Sequence, residues 1–120
     1  MTFNVEVVLR GRDYAMTEAV TIPYGEPDTW NEDAVQAALV EILRAINRAE
    51  NPEAPPDQTV SLRGFSWIVE PAEGQVIIAI EIPMGAAVAG PLKVGQVELD
   101  ALITRVLAND RKLHTPVTVH

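Results

Sequence analysis

The chain contains no cysteine. Disulfide scaffolds, thiolate zinc sites and cysteine nucleophiles are excluded at once. Histidine and serine are scarce, confined to His114, His120, Ser61 and Ser66. A Ser–His–Asp arrangement would have to use Ser61 or Ser66, which the pattern places inside a strand and not on a strained elbow. The histidines lie in the terminal segment, where a base or metal ligand is hard to position. No catalytic residue, metal or cofactor is therefore expected. No apolar run reaches the length of a membrane span, and Met1-Thr2-Phe3-Asn4-Val5-Glu6 shows neither the basic nor the apolar block of a signal peptide. A cytoplasmic location is the expectation. Positive charge is also short: 9 Lys+Arg against 17 Asp+Glu give a formal charge of −8. That balance argues against nucleic acid or an anionic membrane surface as partner.

What remains is a globular composition, 48% hydrophobic and 22% charged over 120 residues. It suits one α+β domain spanning 1–120. The acidity is uneven. Glu26, Asp28, Glu32, Asp33, Glu41, Glu50, Glu53 and Asp57 stand against only Arg44 and Arg48, which reads as a solvated helix with its flanking loops.

Phe3, Val5, Val7 and Leu9 alternate with Asn4, Glu6, Val8 and Arg10, the period of a half-buried strand. After Gly11-Arg12-Asp13, Val20 and Ile22 resume the alternation, so an antiparallel hairpin is expected, closed by Pro23 and Pro27. Thr29-Trp30-Asn31-Glu32 reads as a capping box. Val35, Ala38, Leu39, Ile42, Leu43 and Ile46 follow at helical spacing, and Asn51-Pro52 ends the run. A proline-rich acidic connector leads to a third strand over Val60–Glu70, a turn at Pro71-Ala72-Glu73-Gly74 and a fourth strand over Val76–Ile82. Gly85 to Gly95 reads as a small-residue loop. Leu99, Leu102, Ile103, Val106 and Leu107 mark a second helix ending near Asn109-Asp110, with 111–120 left as a tail or an edge strand.

The expected architecture is an antiparallel sheet of four or five strands with two helices on one face, in the order ββαββα. The halves 1–50 and 59–110 look alike: Leu9-Arg10-Gly11 recurs as Leu62-Arg63-Gly64, and Ile22-Pro23-Tyr24-Gly25 as Ile82-Pro83-Met84-Gly85. Duplication of a ββα unit is one reading; convergence of two units on the same packing needs is the other.

Few residues point to a ligand. Gly85-Ala86-Ala87-Val88-Ala89-Gly90-Pro91-Leu92-Lys93 has glycines at P-loop separation, but Pro91 and Leu92 stand where lysine and a hydroxyl residue are needed. Lys93 with free N–H groups at the start of the second helix leaves a looser anion site open. Arg10 and Arg63, related by the repeat, would hold a carboxylate or phosphate if brought together, with Tyr14 and Trp67 at the rim of an apolar pocket. The blander reading makes them solvent-facing strand residues paired with nearby acids.

The fourth strand is apolar on both faces, and two helices cover only one face of such a sheet. Phe65, Trp67, Ile77 and Ala79 are the candidate interface residues, and a homodimer, sheet face to sheet face or edge to edge, is expected. The functional expectation is a small non-enzymatic protein-interaction or assembly module. The alternative is a small-molecule-binding domain or enzyme whose pocket would bring those arginines and aromatics together.

Overall fold

The computed structural model describes the backbone of residues 1–114 and the side chains of residues 1–110. Strands β1 (Thr2–Leu9) and β2 (Ala15–Thr21) form the expected hairpin. A single 3-10 turn, Pro27–Thr29, leads into α1 (Glu32–Glu50). Three strands follow, β3 (Ser66–Ala72), β4 (Gln75–Ile82) and β5 (Gly85–Leu92), and then α2 (Gln96–His114). The class is α+β, with one five-stranded antiparallel sheet ordered β2-β1-β5-β4-β3.

The element order is ββαβββα, not ββαββα, because the small-residue stretch after Pro83 is a strand. Residues 85–92 lie at the centre of the sheet, bonded to β1 on one side and β4 on the other. Alanine and glycine have weak strand propensity, but the two neighbouring backbones impose the extended form. Small side chains also suit the position, since fully buried Ala87 and Ala89 leave room for α1 to pack against β5. Gly90 (φ 127°) lies at a bulge: Ile78 faces Ala89 and Val76 faces Leu92, so β5 carries one extra residue. That residue resets the alternation and turns Leu92 back into the core.

The inserted strand means that the two halves do not match element for element. Leu9 ends β1, whereas Leu62 precedes β3 in irregular chain. Ile22-Pro23 leads toward the 3-10 turn, whereas Pro83-Met84 is a two-residue turn between paired strands. The third strand begins at Ser66, not Val60, and runs through Pro71 to the Glu73-Gly74 turn. Ser61 accordingly lies in the preceding loop, and Leu62 is buried in the core. Residues 111–114 continue α2 and are neither tail nor strand; the rest of that expected segment, 115–120, lies outside the described residues, as do the side chains of both histidines.

One core lies between the sheet and the helices. Val5, Val7, Ile78 and Ile80 from the sheet meet Val35, Leu39, Ile42 and Ile46 of α1 and Leu99 and Ile103 of α2, all essentially inaccessible. Among the described residues no charged or polar residue is buried. Trp30 covers one margin, its indole N–H donating to the Gly25 carbonyl (2.8 Å) and its ring tilted against Phe3. The helix cap differs from the capping box read at Thr29. Asn31 is the N-cap, its Oδ1 accepting from the Ala34 N–H at 3.0 Å, while the Thr29 hydroxyl donates to the Glu26 carbonyl. Glu32 instead ties α1 to α2 through Asn109 (2.8 Å) and Arg105 (3.3 Å). Arg44 fastens the long connector: its guanidinium donates to the carbonyls of Gln58 and Asp57 and pairs with Glu41.

Candidate functional site

Both helices pack on one face of the sheet, and the residues of the other face follow from the strand registers. Across β2-β1-β5-β4-β3 its rows read Ala15, Val8, Ala86, Glu81, Ser66; then Thr17, Glu6, Val88, Ala79, Ile68; then Ala19 and Asn4 on one side of Gly90, with Ile77 and Glu70 on the other. A last row holds Thr21, Thr2, Gln75 and Ala72. Alternation puts all these side chains opposite the core. Exposures agree: Val8 is 42%, Val88 39% and Ile68 50% accessible, and Ile77, Ala79 and Ala86 are half-buried only by their neighbours.

These six residues make a contiguous apolar area over β1, β5, β4 and β3. A shallow groove of about 330 Å³ lies on it; its lining includes Ser66, Ile68, Ala79, Glu81, Ala86 and Val88 of this face, together with Trp67, Ile80 and Ala87 of the alternating positions. The strand positions of this face carry charge of one sign. Glu6, Glu70 and Glu81 project from it, and none of its strand positions carries lysine or arginine. Arg10 stands just past the end of β1 at the margin of this face, lining an adjoining hollow with Val8, Ala86 and Glu81. Apolar side chains interleaved with carboxylates that form no ion pair among the described residues suit a partner of the opposite pattern.

The four interface candidates separate across the sheet. Ile77 and Ala79 lie on the uncovered face. Phe65 and Trp67 lie on the helix side, partly buried against the core, where Trp67 shares a hollow with Arg63 and Leu107. The physical reason is parity: Trp67 pairs with inward-facing Ile80, whereas Ile68 pairs with outward-facing Ala79.

The five ligand candidates are likewise dispersed. Arg10 and Tyr14 belong to the β1–β2 loop region, Tyr14 being 55% exposed. Arg63 precedes β3 and faces Asp110 of α2 at 3.8 Å. Lys93 follows β5 at the opposite end of the sheet, since β5 starts beside Leu9 and ends beside Val76. The hollows that Arg10 lines contain Val8 and Glu81, or Arg12, Glu50 and Met84. Those that Arg63 lines contain Asn47 and Ser61, or Phe65 and Trp67. No hollow among these takes both arginines; only Arg63 and Trp67 meet.

Sequence reasoning missed Val8 and Ile68 as members of this face, and missed Val88 and Ala86 because it read their strand as a connector. The available signal was positional. Ile82-Pro83-Met84-Gly85 allows a two-residue reversal, and a strand as apolar on both faces as β4 needs a neighbour on each side. Comparison with protein-family models, with curated proteins and with solved structures finds no match to this chain.

Proposed function

We propose that this chain is a non-enzymatic interaction module that works as a homodimer, with the uncovered sheet face as its binding surface. The observation that supports this reading is the arrangement of Val8, Ile68, Ile77 and Val88 around Glu6, Glu70 and Glu81 on a face that, among the described residues, no helix covers. The occupant that fits is a protein segment presenting apolar side chains flanked by lysine or arginine. A second copy of the same face fits poorly, because it would set six carboxylates around the contact with no strand-borne base to offset them. The dispersal of Arg10, Arg63, Tyr14 and Lys93 favours this reading over a small-molecule pocket.

The test uses a short labelled peptide of alternating valine and lysine and its valine–glutamate counterpart, with binding read by fluorescence anisotropy. The lysine peptide is expected to bind, to weaken with added salt, and to lose affinity on the order of several-fold in Glu6→Gln/Glu81→Gln and in Ile68→Ser/Val88→Ser. Equal binding of the two peptides, or no binding of the lysine peptide up to about 1 mM, a level corresponding to only about 4 kcal/mol, would overturn the proposal.

A further inference from the structure

The two edges of the sheet are built differently. In an antiparallel pair, opposite residues alternate between those that exchange both backbone bonds and those whose backbone groups point away. In β3, Trp67, Val69 and Pro71 point outward, because Ala72 and Gln75 flank the two-residue turn as a bonded pair. Pro71 offers no N–H on that side, and the Val69 carbonyl is already occupied by the Gln96 side-chain amide of α2 at 2.9 Å. From Val69 to Pro71 this edge is blunted by proline and by a covering side chain.

The β2 edge has neither device. Met1 and Ile22 exchange both backbone bonds, 3.1 and 3.0 Å. The alternation therefore assigns Val20, Glu18 and Met16 to the β1 ladder and turns Ala15, Thr17, Ala19 and Thr21 outward. These four residues are all exposed, and among the described residues no hydrogen bond reaches their backbone N–H or C=O groups. The strand, AMTEAVT, carries no proline, lysine or bulge. Its one charge, Glu18, sits on the helix side and is held by Arg48, whose Nε donates at 2.6 Å.

We infer that β2 is the homodimer interface: two copies pair their β2 strands antiparallel about a two-fold axis, fusing the sheets into one of ten strands. The inference rests on the homodimer reading above and names the surface that forms it. With the axis at Glu18, Ala15 faces the partner's Thr21 and Thr17 faces the partner's Ala19, so every outward donor and acceptor of the strand is used. Sliding the register by two residues keeps the parity but leaves one of the four residues without its bonds. The two Glu18 carboxylates meet near the axis, each already neutralised by its own Arg48. An antiparallel ladder has its two-fold perpendicular to the sheet, so all four helices share one side and the two acidic apolar faces become continuous on the other.

Light scattering on the full chain at micromolar concentration is expected to give twice 13.1 kDa. Ala19→Pro removes only an outward N–H, so it should leave the circular dichroism spectrum intact while raising the dimer dissociation constant on the order of tenfold or more. A monomer in the parent would overturn both the dimer and the edge. A dimer unchanged by a folded Ala19→Pro would overturn the edge alone. If Ala19→Pro does not fold, the pairing is read from mixed Thr17→Cys and Ala19→Cys chains, otherwise free of cysteine, treated with a short bis-alkylating thiol reagent. A product joining position 17 to position 19, formed in preference to 17–17 or 19–19, supports the pairing; its absence overturns it.

Discussion

A Cβ added at Gly85 would lie 2.5 Å from the Val8 carbonyl oxygen and 3.1 Å from the Leu9 Cα. Both are backbone atoms of the neighbouring strand, so no side-chain movement relieves the clash. Gly85→Ala is expected to cost about 2–3 kcal/mol by forcing β5 away from β1, measured as a shift in the urea midpoint. A variant as stable as the parent would mean that the two strands are not this close. At the start of α1, Asn31→Ala should cost about 1 kcal/mol through loss of the bond to the Ala34 N–H. Thr29→Ala should cost less, because the Thr29 hydroxyl donates to an exposed carbonyl outside the helix. Paired thermal melts decide; a larger loss at Thr29 would return the cap to that residue. The two positions show how far a motif can be read. Thr29 and Asn31 are both good caps within the same four residues, and Trp30 decides between them. Its burial against Phe3 fixes the chain before the helix, making Asn31 the last extended residue.

At the scale of elements, strong periodicity was legible and weak periodicity was not. The β1 alternation, the α1 stripe and the two-sided hydrophobicity of β4 each follow from large apolar side chains at fixed spacing. β5 has almost no such side chains before Leu92; its strand character comes from neighbours distant in sequence, β1 and β4, whose backbone groups need partners. The error at β3 has the same origin. Val60 and Leu62 are apolar because they pack against the core from a loop, not because they alternate in a strand. The uncovered face was therefore legible only in part: Ile77 and Ala79 followed from β4, while Val88 and Ala86 did not, and at β3 the expected Phe65 and Trp67 lie on the helix side with Ile68 on the uncovered face. Native-state hydrogen exchange tests the centrality of β5. Amides of 87–89 should exchange with protection comparable to Val5–Val7 and Ile78–Ile80, close to the global unfolding free energy. Fast exchange there would restore the connector reading and break the sheet into two hairpins.

At the scale of the whole molecule, asymmetry is the organising feature. One side of the sheet carries both helices and the entire core; the other carries small, apolar and acidic side chains open to water. One edge is blunted and the other is not. Among the described residues, no helix is long and apolar enough to cross a membrane. Because the side chains of Ile68 and Val88 stand outside the core, replacing them with serine should change stability by less than about 0.5 kcal/mol. Loss of affinity in those variants can then be read as loss of contact and not of fold. The account's central claim, that the uncovered face is the working surface, is tested most directly by mapping where the valine–lysine peptide lands. Titrated into isotopically labelled protein, it should shift the methyl resonances of Val8, Ile68, Ile77 and Val88 together, leaving Leu39, Ile42 and Ile103 of the helix side unmoved. Shifts centred on the helices, or on the hollow beside Arg63 and Trp67, would contradict it.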